Sequence, residues 1–508
     1  MAYLMGIDIS TTGAKAMLMD ERGKVIAGIT TEYPLSTPRP LWSEQSPADW
    51  WQGACKSIME ALRKAGLRGE DVSAVGLTGQ MHGLVMLDAA GRVLRPAILW
   101  NDQRTGRQCA EITEKVGGLG RLLELTGNTV LPGFTAPKIV WVRQNEPEVY
   151  GRTAHILLPK DYVRYCLTGE YATDVSDASG TSLLDVGKRR WSGEMLRALE
   201  VPAEWLPRCT ESSDVSGTVS SAAARETGLK PGTPVVGGGG DQAAQAVGSG
   251  VVQPGIISVT SGTSGVVFAH ANRFAAEAQG RLHAFCHAVP GRWHWMGVML
   301  SAGGSFRWLR DSLGEPERAA AALSGEDPYD LLTRAASQAP AGCQGLLFLP
   351  YLTGERTPYP DPQARGAFVG LTVRHNRNHI IRSVLEGVSF GLRDSLELIR
   401  GLGVPIAQVR ASGGGARSAL WRQIQADVFG SELVLVNVTE GAAFGAAILA
   451  GVGCGIYASV EDGVEQTVHL TDRIVPRQDD VDRYQALYGV YRSLYPALRT
   501  SFHALATL

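Results

Sequence analysis

The sequence predicts an α/β protein of two similar domains with a ligand between them, on three observations. At 508 residues the chain exceeds what one hydrophobic core supports, and two domains of about 250 residues each are the natural division. Two stretches far apart, near residues 3–19 and 256–270, each read as strand, Ser/Thr/Gly turn and returning strand. Glycine, at 61 residues, is about twice its usual share without any low-complexity run, which points to tight turns and backbone-lined ligand sites. The expected division is 1–248 and 249–508.

The elements follow in order. YLMGIDI (3–9) and AKAMLM (14–19) are strands joined by the turn STTG, and VIAGITTEY follows the turn ERGK to complete an antiparallel trio. In SPADWWQGACKSIMEALRKAG, Ser46 and Pro47 occupy cap and first-turn positions. Trp50, Trp51, Ala54, Ile58 and Leu62 keep helical spacing, and Gly66 ends the helix. The strand VSAVGLTG leads into the loop QMHG and the strand VMLD, and helices and loops then alternate to about residue 230. VVGGGGDQAAQAVG (235–248) reads as a strand, a glycine turn and a helix start with Asp241 at the lip.

The second cycle opens with GIISVT, SGTSG and VVFAH. Strands around HAFCHAV and RWHWMGVML follow, then a helix over 303–313 and the strand LLFLPYL. Helix 378–402 carries Ile381, Val384, Leu385, Val388, Leu392 and Leu396 on one face. QVRASGGGARS is strand, glycine turn and helix start, ELVLVNV is a strand before the small-residue helix AAFGAAILAG, and a helix begins near 478. The halves share element order rather than residue identity, and facing turns of this kind place a ligand in the cleft between them.

Composition narrows the function. A net charge of −2 without a Lys/Arg cluster argues against nucleic acid. Seven scattered cysteines with no CxxC pair read as reduced thiols of a cytoplasmic protein. No basic n-region opens the chain and no apolar run reaches about 18 residues, so a soluble protein is expected.

Three turns are candidates for phosphate contacts: Ser10–Lys15, Ser261–Gly265 and Gly413–Ser418. Small residues expose backbone N–H groups, hydroxyls add donors and Lys15 adds charge. Singly each is an ordinary hairpin or cap; together, at strand ends, they favour a nucleotide. No GxxxxGK[ST] occurs, and the partial dinucleotide fingerprint in GGGDQA lacks its acidic residue about 20 positions on. Asp8 and Asp241 stand at strand ends beside such turns, where a carboxylate can hold a Mg²⁺-bound phosphate or take a hydroxyl proton. The bland alternatives are a hairpin Asp bonding its own turn and a helix cap. His283, Cys286, His287 and His294 lack a tetrahedral set and read as structural. Gln80, Met81 and His82 form a polar loop, and Trp42, Glu44, Trp100, Asn101 and Asp102 are further sugar-contact candidates.

The chain resembles the FGGY family of carbohydrate kinases. GFTAPKIVWVRQN (133–145) matches the family's first signature, and GAFVGLTVRHNRNHIIRSVLE (366–386) its second. LWSEQSPADWW, GQMHG, RPAILWNDQR, PGFTAPK, LLPKDY and SDASGT are similar to those of bacterial members acting on xylulose, over nearly the whole chain. The resemblance implies two actin-like ATPase, ribonuclease-H-like domains, the first binding sugar and the second nucleotide, which close on ATP and D-xylulose to make D-xylulose 5-phosphate. It implies that Asp241 is the base and that Asp8, with Thr11, Thr12 and Lys15, places Mg²⁺-ATP. Gly262 and Thr263 would meet the terminal phosphates and Gly413, Gly414 and Gly415 the adenosine. Met81, His82, Asp241 and Gln242 would contact the ketose, with Trp100 and Asn101 beside them; Gln242 departs from the Asn of some members. A homodimer is left open. The alternatives are a family kinase for L-ribulose, L-xylulose, gluconate or glycerol and, from another class, an actin- or chaperone-like ATPase switch. A sugar sensor and a dehydrogenase rank below these.

Overall fold

The structure, a computed structural model, describes residues 2–438 and 440–507. The chain divides into two compact units. The first gathers the residues up to Gln253 with His270–His294 and Val438–His469; the second gathers Pro254–Ala269, Trp295–Asn437 and the residues from Leu470 on. Two segments from late in the chain therefore complete the first unit, where sequence order alone puts a single break at 248.

The first unit is built on a mixed sheet ordered Val215–Thr218, Pro234–Val236, Val72–Gly79, Tyr3–Ile9, Gly13–Asp20, Val25–Glu32. Tyr3–Ile9 runs antiparallel to Gly13–Asp20, with Asp8 opposite Lys15, and parallel to Val72–Gly79, with Asp8 beside Thr78. The glycine run after Val236 is more than a turn. Gly238 takes φ 72° and a Cβ there would lie 1.9 Å from the Leu77 carbonyl oxygen, so the position requires glycine, and Gly239–Gly240 then rejoin the sheet beside Thr78 and Gly79. The helix Asp241–Gly248 starts at once. Asp8, Thr78 and Gly239 thus sit side by side at the carboxyl ends of parallel strands, the edge where open α/β sheets bind ligands.

Helix Pro47–Ala65 covers one face of this sheet with Trp50, Ala54, Ile58, Ala61 and Leu62. Ser46 holds its N-cap position but its hydroxyl makes no cap bond. The other face receives the helix Gly441–Gly453, and the reason is bulk. A Cβ on Gly6 would lie 1.8 Å from the Ala443 carbonyl oxygen, and one on Gly76 would lie 1.9 Å from that of Ala446. The same helix meets Asp241–Gly248 at Gly445, where a Cβ would come within 1.8 Å of the Ala244 carbonyl oxygen. Small residues on both partners let backbones touch, which is why this helix leaves its sequence neighbours and joins the first sheet.

The second unit's sheet runs Trp293–Met299, Gly265–Ala271, Ile256–Ser261, Gln408–Ser412, Glu432–Val436, Leu470–Ile474. Helix Arg377–Gly401 buries Ile381, Val384, Leu385, Val388, Leu392 and Leu396. Helix Gln478–Leu505 packs on it through buried tyrosines: the Tyr484 hydroxyl donates to Glu386 and that of Tyr488 to Asp394, each at 2.6 Å. All seven cysteines are unpaired, and among the described residues no helix is long and apolar enough to cross a membrane.

Candidate active site

Two acids at the first unit's strand ends are shifted from their ordinary range. Asp8 has its carboxyl pushed up to about 7, by burial first and the charge of Asp241 second, with Lys15 opposing. Burial raises Asp241 to about 6, against hydrogen bonds that favour its charged form. Among these, the Gln242 backbone N–H donates to Asp241 Oδ1 at 2.8 Å and the Gln242 side-chain amide to Oδ2 at 3.3 Å. At neutral pH Asp241 is therefore an ionised acceptor, while Asp8 sits near half-protonation. The helix-cap alternative for Asp241 does not describe it: it is the first helical residue, Gly240 holds the cap position, and the cap has no side-chain hydrogen bond.

The turn after Asp8 is braced by side chains. Ser10 Oγ accepts from the backbone N–H groups of Thr12 and Gly13 at 3.3 and 3.2 Å. Thr11 Oγ1 donates to Gln80 Oε1 at 3.3 Å and accepts from Trp100 Nε1 at 2.9 Å. Gln45 Nε2 donates to the Thr11 carbonyl at 2.6 Å, while Gln45 Oε1 accepts from Gln80 and Trp50, both at 3.0 Å. Lys15 Nζ pairs with Glu440 Oε2 at 2.5 Å. The turn is thus preorganised rather than floppy, and Trp100, 43% exposed, is anchored at its indole N–H with its ring open for stacking. Asn101 Oδ1 is buried and has no hydrogen-bond donor among the described residues.

The QMHG loop closes the other side. His82 adopts φ 70°, a conformation rare outside glycine. Its Nδ1 is 2.7 Å from the Gly180 carbonyl; a carbonyl only accepts, so Nδ1 carries a proton. The ring stacks on Phe134, centroids 4.6 Å apart. Two residues of the PGFTAPK stretch hold the loop's backbone: Lys138 Nζ donates to the His82 carbonyl at 2.8 Å and Thr135 Oγ1 at 3.1 Å. Burial drives the Lys138 ammonium well below the usual lysine range. Met81 is buried against Gly240, where a Cβ would come within 2.9 Å of the methionine side chain.

The second unit holds a cavity of about 350 Å³, within the size range of small-molecule sites. Gly262, Thr263, Gly414 and Gly415 line it together with Phe306, Arg307, Tyr329, Asp330, Arg417 and Trp421. Gly413 shapes the turn instead of lining it. Its φ of 80° and the 2.8 Å from a would-be Cβ to the Ser261 carbonyl oxygen require glycine. Aromatic faces suit a base, the two arginines suit phosphate oxygens and the aspartates Asp327 and Asp330 suit ribose hydroxyls.

The chain matches the FGGY family of carbohydrate kinases over both of its domains, the N-terminal domain at residues 3–248 and the C-terminal domain at 257–454. The chain belongs to this family. It is 42% identical over 495 residues to a xylulose kinase of Escherichia coli K12, covering 97% of this chain and 99% of the relative. It is 38% identical to a xylulose kinase of Bacillus subtilis, covering 97% of both chains. The solved structure of a xyloylose kinase from Brucella ovis superposes with a TM-score of 0.89 at 40% identity, covering 98% of this chain and 99% of that one. The protein is thus a kinase with the two-domain, actin-like α/β fold of these enzymes.

The structure brings Asp8, Thr11, Lys15, Trp100 and Asp241 to the first unit's strand ends and loops, and Gly262, Thr263, Gly414 and Gly415 to one cavity in the second. Trp42 goes elsewhere: the Arg104 guanidinium lies 3.6 Å above its ring, and Glu44 pairs with Arg95 and Arg104 in the same structural cluster. Asp102 accepts from Arg104 and from the Ser43 backbone. His287 spends both ring nitrogens on backbone, Nε2 on the Val251 carbonyl at 2.9 Å and Nδ1 on the Val289 N–H at 3.1 Å. Phe306, Arg307, Asp327, Tyr329, Asp330 and Trp421 are among the cavity residues that sequence reasoning missed. Trp421 stands three residues past the Gly413–Ser418 turn, which is the local signal that could have found it.

Proposed function

We propose that this kinase transfers the γ-phosphoryl group of ATP to the terminal hydroxyl of D-xylulose, giving D-xylulose 5-phosphate and ADP. Within the N-terminal assignment 1–248, Asp241 is the base. Its carboxylate, charged above about pH 6, takes the hydroxyl proton as the sugar oxygen bonds to phosphorus and the bridging bond to the β-phosphate breaks. Met81, His82 and Gln242 contact the ketose, with Trp100 stacking and the Asn101 amide oxygen an acceptor nearby. Within 249–508, Gly262 and Thr263 meet the terminal phosphates and Gly413, Gly414 and Gly415 form the adenosine side.

Mg²⁺ suits this donor set. Among the described residues no three His, Cys, Asp or Glu side chains form a ready-made metal cage, and Mg²⁺ is commonly held by one or two carboxylates with water and phosphate oxygens. Asp8 would hold it through water and phosphate, with Thr11, Thr12 and Lys15 on the same phosphates; the ion supplies charge neutralisation there. The reading describes a cytoplasmic enzyme, and light scattering decides whether it works as a homodimer.

The observation that carries the proposal is the ionised, half-buried Asp241 beside Asp8 in a chain 42% identical to a xylulose kinase. A coupled ATP-consumption assay across D-xylulose, L-ribulose, L-xylulose, gluconate and glycerol tests it. D-xylulose should give the highest kcat/KM; a higher value for another acceptor reassigns the substrate, and hydrolysis indifferent to every sugar removes the kinase mechanism.

A further inference from the structure

The segment Ala172–Thr181 touches both arms of the sugar side at once. Ser176 Oγ accepts from the Gly240 backbone N–H at 3.1 Å, one residue before Asp241. Four residues further, the Gly180 carbonyl accepts from His82 Nδ1 at 2.7 Å. Neither end has slack. A Cβ on Gly240 would strike Met81, and a Cβ on Gly180 would lie 2.3 Å from His82 Nδ1.

The segment itself is locked by buried charge. Asp174 Oδ2 accepts from the Ser176 backbone N–H at 2.8 Å, from Ser176 Oγ at 2.5 Å and from Ser212 Oγ at 2.9 Å. Lys160 Nζ lies 2.9 Å from Asp174 Oδ1, 3.2 Å from Asp177 Oδ2 and 2.6 Å from Asp161 Oδ1, and all four side chains are fully buried. Arg164 also pairs with Asp161. Burying this many charges costs desolvation that their mutual attraction repays only in good geometry, and apolar side chains of like size would stabilise a core as well. Fixed geometry is what the cluster adds.

The geometry points to Asp174–Gly180 as a rigid spacer that sets the separation of Asp241 and His82, with Ser176 and Lys160 as positioning residues for phosphoryl transfer. This rests on the reading of Asp241 as the base. Ser176 Oγ, held by Asp174, fixes the peptide from which the Asp241 helix departs; Gly180, at the far end of the same short helix and turn, fixes the imidazole. A displacement of the base by about 1 Å is enough to cost up to about 10²-fold in rate without weakening nucleotide binding.

Ser176→Ala tests the spacer, with Thr227→Val as the control for losing one buried hydroxyl bond elsewhere in the same unit, since Thr227 Oγ1 donates to the Ala223 carbonyl at 2.7 Å. Each purified variant is assayed for kcat and for both KM values, and its Tm is recorded. Ser176→Ala should lose about tenfold or more in kcat with D-xylulose while KM for ATP stays within about twofold, and Thr227→Val should keep wild-type kcat. A Ser176→Ala kcat within about twofold of wild type, or an equal loss in Thr227→Val, overturns the positioning role. Asp241→Ala is measured alongside. If it is inactive while Ser176→Ala is normal, only the spacer falls; if it turns over normally, the base reading falls and takes the spacer with it.

Discussion

The two units share a sheet plan and differ in what they mount on it. In each, a first strand runs antiparallel to its hairpin partner and parallel to a later strand, with a further parallel strand and an antiparallel edge beyond. The penultimate residue of the first strand is Asp8 in one and Thr260 in the other. Asp8 stands opposite Lys15 and beside Thr78. Thr260 stands opposite Val266 and beside Ser412, its hydroxyl 2.8 Å from that of Ser412. One backbone plan thus presents a carboxylate and a lysine in the first unit, and hydroxyls and glycines in the second. On the proposed assignment the first moves a proton and holds a cation, and the small residues of the second let a nucleotide approach the main chain. Sheet topology fixes where a ligand is met, and the side chains at the strand ends fix what is done to it.

Removing chemistry from the first unit should produce the largest separation between the two. Asp241→Ala is expected to lower kcat by about 10²–10⁴-fold, read in a coupled assay. Asp241→Ala turning over at near wild-type rate would collapse the distinction drawn between the units.

A change in the second unit should be smaller and appear in nucleotide KM. Gly413→Ala forces a left-handed φ on alanine, a cost of about 1–2 kcal/mol. Passed into ATP affinity this is about a tenfold rise in KM for ATP, with KM for the sugar unchanged. A rise confined to sugar KM would reverse the assignment.

The pH profile sharpens the role of the acids. Because Asp241 acts in its charged form and titrates at about 6, kcat/KM for the sugar should fall as pH drops through that value, with a slope of one proton. A profile flat from pH 7 to 5 would move the base elsewhere.

The smallest effect is on stability. The raised carboxyl of Asp8, about 7 in the folded protein against 3.8 for an unperturbed aspartate, means that the folded state holds the proton more tightly than the unfolded one. Its cost to folding therefore grows as pH rises from about 4 to 7 and is complete above that. Asp8→Asn should raise Tm by about 2 °C at pH 8 and by less at pH 5, while activity is lost. A Tm gain larger at pH 5 would contradict the burial of this charge.

Much of the fold can be read along the chain because its signals are local. The hairpins at 3–20 and 256–271 turn where expected, and the helix expected at 378–402 is found at Arg377–Gly401. Asp8 and Asp241 stand out because acids interrupt apolar runs beside small residues. What stays hidden is long-range. AAFGAAILAG announces a helix but not its partner; only Gly6 and Gly76, more than 350 residues earlier, provide the groove it fills. PKDY reads as a helix start, which it is, yet nothing local marks Lys160 as a fully buried cation facing Asp174 and Asp177. Trp42 and Trp100 look alike in sequence; one lies under Arg104 and the other donates to Thr11, a difference set by tertiary neighbours.

The central claim is that the first unit holds the sugar and the base while the second holds the nucleotide. Isothermal titration of ATP and of D-xylulose into Asp241→Ala and Gly413→Ala tests it most directly. Asp241→Ala should bind ATP within about twofold of wild type and Gly413→Ala should bind it about tenfold more weakly, with D-xylulose affinity kept in Gly413→Ala. Loss of ATP binding in Asp241→Ala with full ATP binding in Gly413→Ala would contradict the account.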